Sequence, residues 1–237
     1  SGLAVVAHAQ PKPLDDGETL PAITVDARGR SEAAQQVPIP LTSIDGEALE
    51  TQQSWRLEDL QQWLPSTSIT FGDPRQSAIA VRGVGRNPSN DGLEGSTGIY
   101  LDNVYLGRAG MATFDLLDIE RVDLLRGPQG TLFGKNTTAG VLALHTRAPS
   151  RETERSLQLS IGQRGLAQGQ AIFSGALSEA TAGRLLVYGT HERGNIENIY
   201  DGGSVNGGHR SGIRGQWLLR RGDAGDRPGA AVAGRAG

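Results

Sequence analysis

The sequence predicts a small α+β domain with a mixed sheet, followed by antiparallel strands that alternate like those of a β-barrel wall. In residues 41–149, apolar runs of strand length are separated by Gly, Asn and Asp turns and by two helical stretches. In residues 150–220, polar and apolar residues alternate with a period of two. Glycine makes up 34 of the 237 residues, about twice its usual share, which favours turns and β-structure.

Composition excludes several classes of protein. The chain has no cysteine, so a disulfide scaffold, a thiolate zinc site and a thiol nucleophile are all excluded. With 26 acidic and 23 basic residues, the net charge is −3, so the chain lacks the excess of positive charge that is typical of nucleic-acid-binding proteins. No apolar run approaches the length of a transmembrane helix, whereas barrel strands remain possible because their alternation leaves an ordinary mean hydropathy.

The N-terminal 40 residues lack the pattern of a folded domain. Residues 1–9 are small and apolar and end in Ala7-His8-Ala9, like the end of a secretory signal peptide. Residues 10–40 are rich in Pro, Asp, Gln and Ala and are predicted to be an extended segment. The β-prone patch Ile23-Thr24-Val25 within it is a place where a partner could add a strand.

The elements of the α+β domain follow one another closely. A strand at 41–44 leads into a helix that starts at Asp45, and a second helix is predicted over 54–64 with Leu57, Leu60 and Leu64 on one face. Further strands are predicted at 68–71, 78–82, 98–101, 104–106, 120–126 and 141–145, with a helical piece at 114–117 and a glycine-rich loop at 127–140.

Strands of a different kind are predicted at 156–162, 167–175, 184–192 and 209–220. In a barrel, the arginines of the last strand should face the lumen and Trp217 the lipid, because a lipid-facing Arg costs about 2–4 kcal/mol. A soluble sandwich has the same alternation, so these residues alone favour neither. Residues 221–237 lose all periodicity, and we expect an irregular, non-native tail there, such as a frameshift produces.

No catalytic or metal-binding motif is complete. The loop from Gly130 to Asn136 has the wrong spacing for a phosphate-binding loop, and Gly83-Val84-Gly85 lacks the third glycine of a dinucleotide fingerprint. The four histidines do not fall at metal-ligand spacing. We therefore predict a protein that is not an enzyme and has no cofactor and no metal site.

A linear series of motifs instead carries a family resemblance. It consists of residues 79–85, residues 98–108 and residues 119–140, which include the run Leu125-Arg126-Gly127-Pro128-Gln129-Gly130-Thr131-Leu132-Phe133-Gly134. In this order the series closely resembles the plug domain of TonB-dependent outer-membrane receptors. The resemblance covers roughly residues 20 to 220.

The resemblance implies a location and an architecture. Residues 41–149 would be a plug inside a 22-stranded transmembrane barrel, and residues 150–220 the first strands of that barrel, in contact with lipid. The N-terminus would be periplasmic and the barrel would lie in the outer membrane of a Gram-negative bacterium. Since the residues after Pro149 suffice for only about four or five strands, we expect an incomplete transporter.

The resemblance also implies three groups of functional residues. A stretch at 20–27 is similar to a TonB box, so TonB should bind Ile23, Thr24, Val25, Asp26 and Ala27. Apical plug loops should contact a small-molecule ligand, an iron chelate such as a ferric siderophore, through Arg75, Arg86, Asn90, Asp91 and Arg108. Plug charges should pair with the polar lumen of the barrel through Glu120, Arg121, Asp123 and Arg126. The alternative is a soluble periplasmic binding or signalling module built on the plug fold alone.

Overall fold

The computed structural model describes two short strands near the N-terminus and most of the chain from residue 40 onward. The described residues are 24–25, 32–33, 40–71, 77–85, 94–107, 109–112, 114–162, 165–194, 196–197, 204–205, 207–220 and 226–236. The chain divides into a unit of residues 1–38 and a unit of residues 39–237.

The first unit contains one strand pair among its described residues. Strand β1 (Thr24–Val25) pairs in antiparallel fashion with β2 (Glu32–Ala33), so that Thr24 lies opposite Ala33. β1 coincides with the β-prone patch predicted from the sequence.

The second unit begins with a mixed domain, which we define as residues 40–149. It contains the predicted strands, two short α-helices and two 3₁₀ turns. These are β3 (Leu41–Asp45), α1 (Gly46–Thr51), a 3₁₀ helix (Leu57–Gln62), β4 (Thr67–Phe71), β5 (Ser77–Val81), β6 (Val84–Gly85), β7 (Thr97–Leu101), β8 (Val104–Leu106), a 3₁₀ turn (Ala109–Ala112), β9 (Ile119–Arg126), α2 (Gly130–Phe133) and β10 (Gly140–Thr146).

The mixed domain contains two sheets. The larger has the strand order β3-β9-β10-β7-β8, in which β10 runs parallel to β7 and the other neighbours are antiparallel. The smaller has the order β4-β5-β6. The predicted small mixed sheet is therefore confirmed. The hairpin of β7 and β8 turns at Asp102 and Asn103, whose φ angles of 48° and 67° suit these two residue types.

One face of the larger sheet carries the core of the mixed domain. Leu57, Leu60 and Leu64 are buried against it, as the sequence predicts, but they belong to a 3₁₀ helix rather than to an α-helix over 54–64. The helix begins late because Asp59 accepts a 2.8 Å hydrogen bond from the backbone N–H of Arg56. The helical piece predicted at 114–117 is also wrong: the 3₁₀ turn lies at Ala109–Ala112, and residues 115–117 are irregular.

The rest of the unit forms a second, larger sheet, which we call the wall sheet. Its strands are β11 (Glu154–Ile161), β12 (Ala167–Ala176), β13 (Thr181–Glu192), β16 (Gly208–Arg220) and β17 (Asp226–Ala236), antiparallel in that order. A small pair, β14 (Ile196–Glu197) and β15 (Ser204–Val205), lies between β13 and β16 in the sequence. β17 differs from the irregular tail expected at 221–237: the free edge of β16 supplies backbone partners, and small Gly and Ala residues pair there without a side-chain pattern.

The wall sheet has two different faces. Side chains of odd-numbered residues on β11 point away from the mixed domain, and Leu157, Leu159 and Ile161 are 74%, 74% and 91% exposed. Ile213 and Trp217 of β16 lie on the same outward face, about half exposed, whereas Arg214 is buried on the inward face. This confirms the predicted orientation of Trp217 and Arg214. No helix among the described residues is long and apolar enough to cross a membrane.

Candidate functional site

The mixed domain touches the wall sheet through the segment from Asp115 to Asp118. The backbone N–H of Leu116 donates to the carbonyl of Trp55 at 2.7 Å, so the segment lies beside the turn that precedes the 3₁₀ helix. Asp118 adopts a left-handed φ of 56°, which ends the segment just before β9 begins. Aspartate tolerates this conformation better than most residues, and here its carboxylate points at the wall.

Asp118 is paired with two arginines of the wall. Arg184 of β13 donates from Nε and Nη2 to the two carboxylate oxygens at 2.8 and 2.6 Å, a bidentate arrangement. Arg214 of β16 donates from Nη2 to both the carboxylate and the carbonyl of Asp118, at 3.0 and 2.9 Å. All three side chains are almost completely buried. Their opposite charges compensate one another in the buried contact.

A second carboxylate completes this cluster. Glu154 of β11 accepts from Arg184 at 2.7 Å, so the guanidinium of Arg184 bridges the mixed domain and the first wall strand. Among the described residues, Arg214 is hydrogen-bonded to no second carboxylate, although Asp102 lies close enough to favour its charge, and its Nε is buried without a hydrogen-bond partner. We call Asp118, Arg184, Arg214 and Glu154 the anchor cluster. Within it, Asp118 supplies most of the negative charge next to Arg214.

Further polar contacts extend along the same interface. Asp115 accepts from Thr190 at 3.0 Å and from Arg210 at 2.7 Å, and Arg56 pairs with Glu192. Near the other end, Gln216 donates to the hydroxyl of Thr146 at 2.6 Å, which in turn donates to the Asp102 carboxylate. The interface is thus held by polar groups of the wall's inward face over several strands.

A small apolar cluster lies within these polar contacts. Trp55 and Leu117 of the mixed domain pack against Ile172 and Leu186 of the wall, and all four are buried. Tyr188 covers the cluster and is partly buried. Excluding water here strengthens the neighbouring ion pairs, because the local dielectric is lower than that of solvent.

The predicted ligand residues and most of the predicted TonB-binding residues lie outside the described part of the chain. This applies to the whole apical group, and to three of the five N-terminal residues. They are Arg75, Arg86, Asn90, Asp91, Arg108, Ile23, Asp26 and Ala27. Of the remaining two, Thr24 and Val25 form β1. Both assignments stay predictions.

The four charges predicted to face the lumen lie on β9. Glu120 is exposed, and Arg126 donates to the hydroxyl of Thr42 at 2.7 Å. Arg121 pairs with Asp123 at 2.9 Å. These described partners belong to the mixed domain itself, so pairing of the four residues with the barrel stays a prediction.

Asp123 is the buried member of this group. Ser43 donates to it at 2.6 Å, and Nε2 of His145 lies 3.2 Å from its other oxygen. Burial alone raises the pKa of the Asp123 carboxyl, but the hydrogen bonds from His145, Ser43 and Arg121 outweigh burial and hold that pKa below its ordinary value. The carboxylate therefore joins β3, β9 and β10 in its charged form.

The wall residues of the interface were not predicted from the sequence, and neither were Asp115 and Asp118. A signal existed: two aspartates three residues apart interrupt an apolar run that includes Leu116, Leu117 and Ile119. Charges in such a run need partners when the run is buried. The partners themselves are 66 and 96 residues away from Asp118, which no local pattern indicates.

The described residues contain no group of three or more His, Asp or Glu side chains placed to hold a metal ion. No catalytic constellation occurs in the interface either, since its acids and bases neutralise each other in fixed pairs. Its chemistry is that of a contact between two structural parts.

Comparison with known proteins identifies those two parts. The TonB-dependent receptor plug domain family matches residues 33–141, which include every strand of the mixed domain before β10 and the first two residues of β10. By this match, the mixed domain is a TonB-dependent receptor plug domain. The anchor cluster therefore joins this plug to the wall sheet.

Several relatives of this chain are outer-membrane proteins. An iron-regulated outer membrane virulence protein of Vibrio cholerae is 26% identical over 205 residues, which are 79% of this chain and 30% of that protein. The ferrichrome outer membrane transporter and phage receptor of Escherichia coli is 24% identical over 76% of this chain and 26% of its own length. The chain thus spans about a third or less of these relatives.

Solved structures share the fold. The ferric yersiniabactin uptake receptor of Yersinia pestis superposes with a TM-score of 0.76 at 23% identity, covering 88% of this chain and 33% of that receptor. The pyoverdine receptor of Pseudomonas aeruginosa gives a TM-score of 0.72 at 16% identity over 92% of this chain and 31% of its own. The predictions of a TonB-dependent receptor, of an outer-membrane location in a Gram-negative bacterium and of a protein that is not an enzyme are confirmed by these relatives.

Proposed function

We propose that this chain supplies the plug and the first wall strands of a receptor for energy-coupled uptake of a ferric siderophore or a similar scarce nutrient. The observation that carries the proposal is the interface itself: a folded plug is held on the inward face of a wall whose outward face is apolar. In this arrangement the plug closes the lumen, and a bound ligand passes only when the plug moves. Relatives named for iron regulation and ferrichrome support an iron chelate as the ligand.

The interface suits a plug that is retained but can be moved. Among the described residues, its contacts include many side-chain hydrogen bonds and ion pairs together with a small apolar cluster. The outer pairs, such as Arg56 with Glu192, are partly exposed and individually weak. Asp118, Arg184 and Arg214 of the anchor cluster are buried, and these three residues are the strong point of attachment. We infer that pulling on the N-terminal segment releases the outer pairs before the anchor cluster.

The proposed energy source is TonB, which should bind Ile23 to Ala27 by strand addition. Replacing Val25 with proline removes a backbone N–H and blocks strand pairing. A purified C-terminal domain of TonB should therefore retain the wild-type chain on a column and lose the Val25→Pro variant. The matched control is Gln36→Pro, in the same segment but outside the box, which should be retained like the wild type. Equal retention of the wild type and the Val25→Pro variant contradicts the assignment.

Uptake itself can be tested in a chimera. Residues 40–220 of this chain would replace the matched part of the Yersinia pestis ferric yersiniabactin receptor, and cellular uptake of that radiolabelled ferric chelate would be followed. We expect uptake in cells that have TonB and none in cells that lack it. Equal uptake in both strains would show a leaking wall rather than a gated one.

The soluble periplasmic module is less well supported than a barrel. Its wall strands would have to cover the apolar outward face, where Leu157, Leu159 and Ile161 are largely exposed. Flotation of the 237-residue chain with lipid vesicles separates the two functions, because the module predicts a chain that stays in the aqueous fraction and barrel strands predict a chain that floats with the lipid.

A further inference from the structure

Two histidines that are far apart in the sequence lie side by side on the wall. His191, near the end of β13, is paired in register with His209, near the start of β16. Directly opposed residues of an antiparallel pair have Cβ atoms about 4.5–5.5 Å apart, with their side chains on the same face. The backbone therefore brings two imidazoles to neighbouring positions.

Both imidazoles lie on the outward face, away from the plug. The inward residues of these strands are identified by their contacts with plug aspartates: Arg184 and Thr190 on β13, and Arg210 and Arg214 on β16. Residues 191 and 209 have the opposite parity, and both are exposed. The histidines thus take no part in the interface described above.

The neighbourhood of the pair is open. The next outward pair along the two strands is Gly189 with Ser211, and the residue opposite His191 on β12 is Ala167. A Cβ placed at Gly189 would meet no atom within 4 Å. These three neighbours are small and leave space beside the two rings, and the nearest charged residue after β13 on the outward side is the exposed Arg193. Glu192 lies on the inward face, paired with Arg56, and so does not contribute a carboxylate.

We propose that His191 and His209 form a two-imidazole binding site for a borderline transition-metal cation, Cu²⁺, Ni²⁺ or Zn²⁺. Imidazole nitrogen suits these ions, and the order of affinities expected for such a site places Cu²⁺ first. Two protein ligands leave the other coordination positions to water or to a donor group of a bound molecule. Because protons compete for the same nitrogens, binding should be lost in acid.

The test uses the 237-residue chain, refolded in detergent micelles and titrated with CuCl₂ by calorimetry. All variants carry His8→Ala, since that histidine offers a further imidazole near the N-terminus. His191→Ala and His209→Ala should each weaken Cu²⁺ binding about tenfold or more, because the second imidazole is presented at high effective concentration. Electron paramagnetic resonance of the bound Cu²⁺ should show two nitrogen ligands in the parent protein and one in either variant.

Moving the two histidines to another opposed position tests whether Cu²⁺ binding requires a directly opposed pair or only two histidines on the same surface. A variant with His191→Ala, His209→Ala, Gly189→His and Ser211→His restores a directly opposed pair and should recover the parent affinity. Combining His191→Ala with Gly189→His leaves a diagonal pair with His209 and should bind more weakly than the parent. The proposal is overturned if the parent binds Cu²⁺ no more tightly than His191→Ala/His209→Ala, or if the diagonal and opposed pairs bind alike.

Discussion

Replacing Asp118 with asparagine tests whether the anchor cluster holds the plug to the wall. Asparagine keeps the size of the side chain and tolerates the left-handed φ of 56°, so the substitution removes the charge with little change in backbone preference. Arg184 then keeps Glu154 as its only carboxylate, and Arg214 is left buried with no anionic partner within hydrogen-bonding distance. The substitution therefore leaves the buried guanidinium of Arg214 without its hydrogen-bonded carboxylate, while the more distant Asp102 still favours its positive charge.

The size of the effect follows from that charge. Breaking a buried ion pair by removing one partner costs about 3–5 kcal/mol. Glu154 still neutralises Arg184, which places the expected loss at the lower end, about 3 kcal/mol in the free energy of unfolding. Asp118→Ala should cost about 1 kcal/mol more, since alanine also strains the left-handed backbone.

Urea unfolding of the chain in detergent, followed by tryptophan fluorescence, measures this loss. Trp55 lies at the plug and wall contact and reports its opening. The matched control is Glu120→Gln, which removes the same charge from an exposed neighbouring site and should change stability by less than about 0.5 kcal/mol. A double-mutant cycle of Asp118→Asn with Arg184→Gln should show a coupling of about 2 kcal/mol. If Asp118→Asn costs no more than Glu120→Gln, the anchor cluster does not hold the plug.

Three further predictions concern the plug. Leu117→Ala should lower the free energy of unfolding by about 2–5 kcal/mol, because Leu117 is buried at the wall contact, whereas the exposed Leu132→Ala should cost far less in the same urea titration. The wild type should be more stable than Asp123→Asn, and this difference in the free energy of unfolding should be full above about pH 4, the ordinary carboxyl range. It should be lost as the pH falls through the depressed pKa of Asp123 in the folded state. A difference that persists unchanged to about pH 2 contradicts this prediction. Gly46→Ala should prevent stable folding, since its Cβ would lie 1.8 Å from the carbonyl oxygen of Ile119, while Gly130→Ala, also at the start of a helix, meets open space and should be tolerated in circular dichroism melts.

The strands of the wall could be predicted because each is exposed on one face and covered on the other. The period of two in β11, with Leu157, Leu159 and Ile161 on one side, needs only local residues to be recognised. The orientation of Trp217 and Arg214 follows for the same reason. β17 could not be predicted, because it pairs through its backbone along the edge of β16 and has no alternation of its own.

Predictions failed where a distant partner determines the local structure. The helix predicted over 54–64 begins late because Asp59 accepts from the backbone N–H of Arg56, and Trp55, just before it, packs against Ile172 and Leu186 of the wall. The anchor cluster could not be found for the same reason: its arginines looked like ordinary lumen-facing charges until the fold brought Asp118 between them. The pairing of His191 with His209 likewise depends on the register of two strands, which the spacing of histidines along the chain does not reveal.

The position of the anchor residues along the chain has a consequence for how the protein is made. Asp115 and Asp118 are translated before Glu154, Arg184, Arg210 and Arg214, and those partners all lie on the strands that come next. If the plug folds before the wall, its carboxylates are already in place when the strand that carries each arginine pairs. A plug in which Asp115 and Asp118 are misplaced leaves these arginines without their carboxylates, so we expect β13 and β16 to pair less well beside such a plug.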